Sequence, residues 1–242
     1  MNLRYGQRDV FGARYLAGLL YFSLFVVSPL RSQQNPNAAI VEKIDASVHA
    51  REQGLVGYTV TEHYRVFRSH DETHPVAEMV VNTRYQKDAG KSFSIVSITG
   101  SELMRKLLET VLDDERRLTQ PANRVTAVIA PANYEMSVKG QEALDGRNCV
   151  VVSLKPRRES QYLLNGTEWV DAEDGAIVQL QGITARSPSI FAGASQVSRH
   201  YTIIDGFPMA THARAVSNSW LVGKTIITID YANYQILPRQ SK

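Results

Sequence analysis

Cysteine is almost absent from the chain, since Cys149 is the only one among 242 residues. A single thiol can form no intramolecular disulfide and cannot supply the several thiolates of a cysteine-rich zinc site. This excludes a small disulfide-stapled scaffold, so a packed core must hold the fold together. Apolar residues make up 43% of the chain, which is enough for such a core. So little cysteine also favours a bacterial envelope compartment over eukaryotic secretion.

The chain also lacks an excess of one charge over most of its length. Its net charge is +3. All of this charge comes from the start of the chain, where a single acid, Asp9, is outnumbered by Arg4, Arg8, Arg14 and Arg31. The remainder is neutral, whereas binding to a phosphate backbone depends on clustered lysine and arginine. We therefore expect no nucleic-acid partner.

Long hydrophobic runs are missing apart from one near the beginning. Leu16–Val27 is almost wholly apolar and follows a basic stretch. This run is shorter than the roughly 20 residues that span a bilayer and has the length of a signal-peptide core. We predict that Met1–Ser32 is a cleaved signal peptide, that residues 33–37 form a linker, and that residues 38–238 form a single domain in the periplasm. A core helix or a short anchor is the alternative for the apolar run.

Motifs of catalysis and metal binding are missing as well. There is no nucleophile elbow, zinc-protease helix, dinucleotide fingerprint or phosphate loop. His70–His74 could offer a metal two imidazoles and two carboxylates, and Asp171–Gly175 resembles a fragment of a calcium loop. Loop and hairpin residues explain both segments equally well, and His63, His200 and His212 are interpreted as half-exposed strand residues. The sequence therefore predicts no enzyme, no metal and no cofactor.

Helical periodicity is present in two segments. Ala38–Glu52, with Asn37 as its predicted cap, repeats apolar residues at helical spacing. Glu102–Leu118, capped by Ser101, carries an apolar stripe on one side and charged residues on the other. Between this helix and the next strand, Val125–Ala130 is ambiguous.

Most of the remaining chain alternates with a period of two residues, as strands do. Asp145-Gly146, Asp174-Gly175 and Asp205-Gly206 each predict a type I′ hairpin turn, and Asn165-Gly166 predicts a bulge. In the first strand, Glu62 interrupts the apolar face. The predicted strands are Tyr58–Arg68, Val76–Lys87, Phe93–Thr99, Tyr134–Leu144, Asn148–Pro156, Gln161–Asp171, Ala176–Ala185, Gln196–Ile204, Pro208–Ser217 and Lys224–Ile236.

These segments predict a mainly β fold of the α+β kind. Because ten twisted strands cannot form a flat sheet, we expect a large curved antiparallel sheet, a half-open barrel, with its concave face covered by amphipathic helices. That face is either an ordinary core or an apolar ligand cavity partly capped by the helix that contains Leu103 and Leu112. The residues predicted to line such a cavity are Val60, Tyr64, Val66, Leu103, Met104, Leu107, Leu108, Val111, Val152, Trp169 and Tyr201.

Several short motifs in the second half resemble a known group of proteins. They are Gly140–Cys149, Trp169–Gly175, Arg186–Ser189, Arg199-x-Tyr201, Ile204–Pro208 and Ile229–Tyr231. With them the chain resembles the LolA/LolB and sigma-E-regulator superfamily of bacterial envelope proteins, and especially its outer-membrane lipoprotein-sorting group. The resemblance implies a curved sheet around an apolar cavity for acyl chains, with a helical lid held by an arginine on an early strand. Arg65 and Arg84 are the candidates for this lid latch.

The resemblance implies a periplasmic carrier or chaperone. Its partners would be the acyl chains of lipids or lipoproteins, together with inner- or outer-membrane proteins of the envelope. The alternative is a non-catalytic sensor or interaction module of the sigma-E-regulator kind, in which the same space is a filled core without lipid cargo.

Overall fold

The structure is a computed structural model that describes residues 36–68, 71–186, 194–219 and 223–237. The predicted signal peptide, Met1–Ser32, lies outside the described residues, as do residues 33–35 of the predicted linker. Within the described ranges there are three helices and ten strands. No helix in these ranges is long and apolar enough to cross a membrane.

The elements follow the predicted order, with one added helix. The helices are α1 (Pro36–Gly54), α2 (Glu102–Thr119) and α3 (Pro121–Ala127). The strands are β1 (Gly57–Arg68), β2 (Ala77–Gln86), β3 (Gly90–Ile98), β4 (Tyr134–Leu144), β5 (Arg147–Pro156), β6 (Leu164–Asp171), β7 (Ile177–Thr184), β8 (Gln196–Ile204), β9 (Phe207–Ser219) and β10 (Gly223–Ile236). The third helix occupies part of the stretch that the sequence left ambiguous.

All ten strands form one antiparallel sheet in the order β3-β2-β1-β10-β9-β8-β7-β6-β5-β4. The first and last strands pair along nearly their whole length, with Tyr64 opposite Ile229 and Val66 opposite Ile227. Every other pair joins strands adjacent in sequence. The sheet is not closed, because β3 and β4 remain as its two edges. The predicted mainly β fold, an open antiparallel sheet with helices, is confirmed.

Two of the three predicted type I′ turns are confirmed by their backbone. Asp145 and Gly146 have φ values of 51° and 76°, and Asp205 and Gly206 have values of 49° and 83°. The third prediction is wrong, since at Asp174-Gly175 only the glycine has a positive φ, of 74°. There the Gly175 N–H donates to the Asp171 carbonyl at 2.9 Å, which makes a longer connection than a two-residue turn.

The predicted bulge at Asn165-Gly166 is also wrong. Gly166 pairs in register with Gly182, and the irregularity in this ladder lies between Trp169 and Val170. A Cβ atom at Gly166 would come within 2.0 Å of the Gln181 carbonyl oxygen. The glycine therefore marks a close approach of two strands rather than an extra residue.

Both long helices cover the same face of the sheet, which we call the inner face. Five residues lie directly opposite one another on neighbouring strands, so their side chains point to the same side of the sheet. In order across the sheet they are Leu180, Arg199, Ala213, Ile229 and Tyr64. Ala213, Ile229 and Tyr64 belong to the apolar cluster under α2, and Leu180 belongs to the cluster under α1.

Helix α2 is amphipathic, as the sequence predicts, and its cap is confirmed. The Ser101 hydroxyl accepts from the Met104 N–H at 3.4 Å. Met104, Leu108 and Leu112 recur at intervals of four and are buried against the sheet. Leu103 points away from this contact and is 59% exposed.

Helix α1 begins at Pro36, before the predicted start at Ala38, and Asn37 is not its cap. The Asn37 amide instead accepts from the Val138 N–H at 2.7 Å and donates to the Met136 carbonyl at 3.4 Å. Polar groups of the edge strand β4 are thereby bound to the start of α1, which limits pairing with other chains.

Candidate functional site

The predicted lining residues fall into four groups. Six of them are buried in apolar clusters: Val60, Tyr64, Val66, Met104, Leu108 and Val152. Leu107, Val111 and Tyr201 are half-buried beside those clusters. Leu103 is exposed, and Trp169 lies on the outer face, where its ring N–H donates to Glu142 at 2.9 Å. The structure therefore brings most of them to the inner face, but in separate clusters beneath different elements.

The space between α2 and the sheet is filled by the protein's own side chains. Tyr64, Val66, Met79 and Leu108 each have 0% exposure and belong to one cluster. Protein cores of this kind leave few voids larger than a water molecule. An acyl chain can therefore enter this region only if α2 moves away from the sheet.

A buried ionic group lies at the edge of this apolar contact. Glu62, the residue that interrupts the apolar face of β1, has a fully buried side chain. The Lys91 ammonium lies 2.9 Å from Glu62 Oε1 and 2.5 Å from Glu115 Oε2, and the Tyr64 hydroxyl donates to Glu62 Oε2 at 2.5 Å. Lys91 thus joins β3 to β1 and to α2. We call Glu62, Lys91, Glu115 and the neighbouring Arg199 the inner ionic cluster.

Charges in this cluster stabilise one another. Burial lowers the pKa of Lys91, but the carboxylates of Glu115 and Glu62 raise it well above its usual value. Burial likewise raises the pKa of Glu115, while Lys91 and Arg199 bring it below its usual value. Lys91 and Glu115 are therefore charged at neutral pH, and removal of one partner leaves an uncompensated buried charge.

Arg199 lies on β8 beside this cluster and is less well paired. Burial lowers its pKa, but Tyr201, Tyr231 and Glu115 raise it further, so the guanidinium stays charged. Its Nε atom is enclosed and has no hydrogen-bond partner. In the described part of the chain, no carboxylate lies within ion-pair distance of Arg199. The sequence pointed to Arg199 only as part of a motif, without a role.

A second unpaired polar group lies beneath α1. Glu168 lies on the inner face of β6, opposite Val152 and Leu180, and is 1% exposed. Its Oε1 atom has no hydrogen-bond partner. Burial raises the pKa of Glu168 to about 8, so the carboxyl group is protonated at neutral pH. Alternation along β6 could have revealed it, because Glu168 falls between Gly166 and Val170 on the buried side.

Both predicted latch residues lie away from α2. Arg65 is on the outer face, where it bonds Asp230 at 2.7 Å and the His63 ring at 3.0 Å. Arg84 is exposed on the same face, beside a pocket of about 440 Å³. Neither makes a bond to α2 among the described residues. Two polar contacts that join α2 to the sheet near its C-terminal end are the Lys91–Glu115 pair and the hydrogen bond from the Lys91 N–H to the Thr119 hydroxyl.

Helix α3 has its own tether. Arg124 donates to the Tyr85 hydroxyl at 2.7 Å and to the Lys87 carbonyl at 2.9 Å, and it lies 4.0 Å from Glu52 at the end of α1. These contacts connect α3 with β2 and α1. A second pocket, of about 500 Å³, lies between α1 and the β8–β9 turn near Phe207.

The loop that could offer metal ligands is only partly described, because His70 lies outside the described residues. Asp71 Oδ1 accepts from the backbone N–H groups of Thr73 and His74, at 2.8 and 3.0 Å. Hydrogen bonds from Thr73 and His74 hold the pKa of Asp71 below its usual value. Across the described ranges, no three histidine, cysteine or acidic side chains are placed to hold a metal ion.

Solved structures with a similar fold cover most of this chain. A DUF1329 family protein from Desulfovibrio piger has 13% identity and a TM-score of 0.45, with 86% of this chain and 96% of that chain covered. A LolA superfamily protein from Nitrosomonas europaea has 13% identity and a TM-score of 0.45, with 84% and 94% covered. A lipoprotein-sorting protein domain from Vibrio parahaemolyticus has 9% identity and a TM-score of 0.43, with 86% and 96% covered.

These matches include the superfamily and the sorting group that the sequence motifs resemble. At such low identity and TM-score they are likenesses of fold only. No family model matches the chain. No curated protein matches it either.

Proposed function

We propose that this chain is an exported, non-catalytic carrier of the bacterial envelope that binds acyl chains of lipids or lipoproteins between α2 and the sheet. The observation that carries the proposal is the packing of α2 on the apolar inner face of the sheet. One amphipathic helix covers apolar residues from β1, β2, β3, β9 and β10, and it does so with a narrow buried stripe of Met104, Leu108 and Leu112. An apolar tail could replace that stripe on the same surface.

The buried side chains of α2 and an acyl tail in their place would contribute comparable free energies of burial. Burying one leucine- or methionine-sized side chain contributes about 1.5–3 kcal/mol, and each buried methylene of an acyl chain contributes about 0.8 kcal/mol. About ten methylenes would therefore contribute roughly 8 kcal/mol before ordering costs, close to the sum for three such side chains. A covered, empty state and an uncovered, loaded state of similar energy would allow a carrier to load and release cargo.

Uptake of cis-parinaric acid, a fluorescent fatty acid, tests this function. We expect the purified protein to bind it and Leu107→Glu to lower the affinity at least about tenfold, because Leu107 packs against the apolar cluster under α2. Leu103→Glu is the matched control, because Leu103 is on the same helix but 59% exposed. Circular dichroism would check that both variants fold. A wild-type protein that binds no fatty acid and co-purifies with no lipid would refute the proposal.

A second function is favoured by the filled core beneath α2, where Tyr64, Val66 and Leu108 are fully buried. In this alternative the chain is a sensor or interaction module, and a protein of the inner or outer membrane pairs with an edge strand. Edge strand β3 exposes Ile95 and Val96 by 44% and 60%. Capture of a membrane protein that is lost in Val96→Lys, with no bound lipid, would favour this alternative.

Export is part of the proposal and rests on the sequence of Met1–Ser32. Cell fractionation would place the protein in the periplasm, and N-terminal sequencing of the mature form would give a start near residue 33. A full-length protein in the cytoplasm would contradict it.

A further inference from the structure

Arg199 is a charged group in an incomplete environment. Its Nε atom is enclosed without a hydrogen-bond partner, and it has Tyr201 and Tyr231 as neighbours instead of a paired carboxylate. Its strand partners are Ala213 on β9 and Leu180 on β7, and neither side chain can accept a hydrogen bond. An enclosed N–H of a charged group without an acceptor is unfavourable, so an oxygen acceptor placed beside Nε would be stabilised.

A second cation, Lys91, also lies near Tyr231. The Lys91 ammonium is 5.9 Å from the centre of the Tyr231 ring, and it contacts Glu115 at 2.5 Å. Lys91 and Arg199 both lower the pKa of Glu115. Glu115 is therefore the carboxylate that both cations stabilise when α2 covers the sheet.

The charges in this cluster belong to different parts of the molecule. Lys91 and Arg199 lie on strands, whereas Glu115 lies on α2. If α2 moves away, Glu115 leaves with it, and two cations remain against the single carboxylate of Glu62. The sheet surface exposed by that movement then favours an anion.

Glu115 continues the apolar stripe of α2, so the place where an anion would bind adjoins the place where a tail would bind. Glu115 follows Leu112 by three residues and Leu108 by seven, so the three side chains share one face of the helix. An incoming molecule could therefore replace Leu108 and Leu112 with its tail and Glu115 with its polar end.

Resting on the proposed carrier function, we propose that the cargo is an amphiphile with a carboxylate or phosphate group next to its acyl tail. Arg199 and Lys91 bind this anionic group, and Glu115 occupies the same site when no cargo is bound. Glu115 is thus an internal substitute for the cargo's anionic group.

A matched pair of probes tests the proposal: cis-parinaric acid and its methyl ester, which share one tail and differ in charge. We expect the wild-type protein to bind the acid on the order of tenfold more tightly than the ester. Arg199→Gln should reduce this preference to about twofold or less. Arg214→Gln, which removes an arginine paired with Glu72 on the outer face, should leave the preference unchanged.

Glu115→Gln should raise the preference for the acid, whereas Arg199→Gln should lower it. Because Glu115→Gln removes the internal competitor and keeps both cations, binding of the acid should tighten more than binding of the ester, so the preference for the acid should rise several-fold. Loss of folding cannot produce tighter binding, so this variant decides the question even if Arg199→Gln does not fold.

Displacement of bound cis-parinaric acid would distinguish the sources of the anion. Dodecanoate and dodecyl phosphate should both displace it better than dodecanol, and their order shows which group the site prefers. Equal binding of acid and ester by the wild type, or no gain in Glu115→Gln, would overturn the inference. Failure of both probes to bind would instead overturn the carrier function on which it rests.

Discussion

The two halves of the inner face are covered in different ways. Helix α1 is attached along its length. Asn37 bonds strand β4, the Lys43 ammonium donates to the Ala172 carbonyl at 2.8 Å, and Arg51 donates to the Pro208 carbonyl at 3.3 Å. Helix α2 is held by its apolar stripe and by polar contacts near its C-terminal end. They are the buried Lys91–Glu115 pair, a hydrogen bond from the Lys91 N–H to the Thr119 hydroxyl at 3.0 Å, the Arg116 guanidinium 5.5 Å from the centre of the Phe93 ring, and a hydrogen bond between Arg117 and Tyr162.

Close backbone packing strengthens this contrast. A Cβ atom at Gly175 would lie 2.6 Å from the Lys43 backbone, so the middle of α1 packs directly against the β6–β7 connection. The comparable contact of α2 is at its C-terminal end, where a Cβ atom at Gly90 would lie 2.8 Å from the Thr119 carbonyl oxygen. The comparison shows that α1 is attached at its start, its middle and its end. Helix α2 is the element that could move, and the Lys91 ion pair is one of its few polar attachments.

The largest expected effect comes from removing that attachment. Lys91→Ala should lower the free energy of unfolding by about 3–5 kcal/mol, because it leaves the fully buried carboxylate of Glu62 without a cation. Urea denaturation at pH 7 measures this loss in the free energy of unfolding. Lys155→Ala, which removes an exposed lysine paired with Glu135, is the control and should change stability by less than about 1 kcal/mol. Equal losses in the two variants would mean that the inner pair does not hold α2.

In the half beneath α1, the expected effect depends on pH. The pKa of Glu168 is about 8 in the folded protein, above the 4.5 of an exposed glutamate. Between these values the folded state keeps a proton that the unfolded state has lost, so this group makes stability fall as pH rises. The slope is at most about 1.4 kcal/mol per pH unit and disappears above the folded pKa.

Glu168→Gln should remove this dependence. Its free energy of unfolding relative to the wild type should therefore increase from pH 5 to pH 8 and then level off, as measured by urea denaturation at several pH values. Glu142→Gln, at an exposed position on β4, which β5 separates from β6, is the control. A constant difference across this pH range would show that Glu168 is ionised in the folded protein.

The smallest expected effect distinguishes the two helices directly. Native-state hydrogen exchange should show amides of the first half of α2 opening at least about tenfold more readily than amides of α1, because the polar attachments of α2 described above lie in its C-terminal half. In Glu115→Gln, which removes the ion pair, the difference should widen. Equal protection of both helices would favour the filled, non-carrier form of the fold.

Strand positions were predictable because alternation and turn chemistry are local properties. Nearly every predicted strand lies within three residues of its observed bounds, and Asp145-Gly146 and Asp205-Gly206 turn as predicted. The errors at Asp174-Gly175 and at Gly166 have a different origin. In both places the backbone responds to another segment, α1 in one case and β7 in the other, and no short window of sequence contains that neighbour.

The candidate site was predictable only in part. Leu108 and Met104 were expected on the apolar stripe of the helix, and Glu62 was recognised as an interruption of an apolar face. Its partner Lys91 could not be found, because the contact depends on the register of β1, β2 and β3 together. Arg65 was expected near the lid, but it lies on the outer face.

By itself, the sequence determined the kind of molecule: ten alternating strands, two long helices of which α2 is amphipathic, a core without disulfides and a single interrupting carboxylate on the apolar face of β1. These features follow from the chemistry of neighbouring residues, which acts over a few positions in the chain. Only the tertiary structure decided that α2 packs on the inner face, that Lys91 joins it to Glu62, and that the Nε atom of Arg199 has no acceptor. Such contacts join residues far apart in sequence, and burial then sets the energy of each charge according to its neighbours.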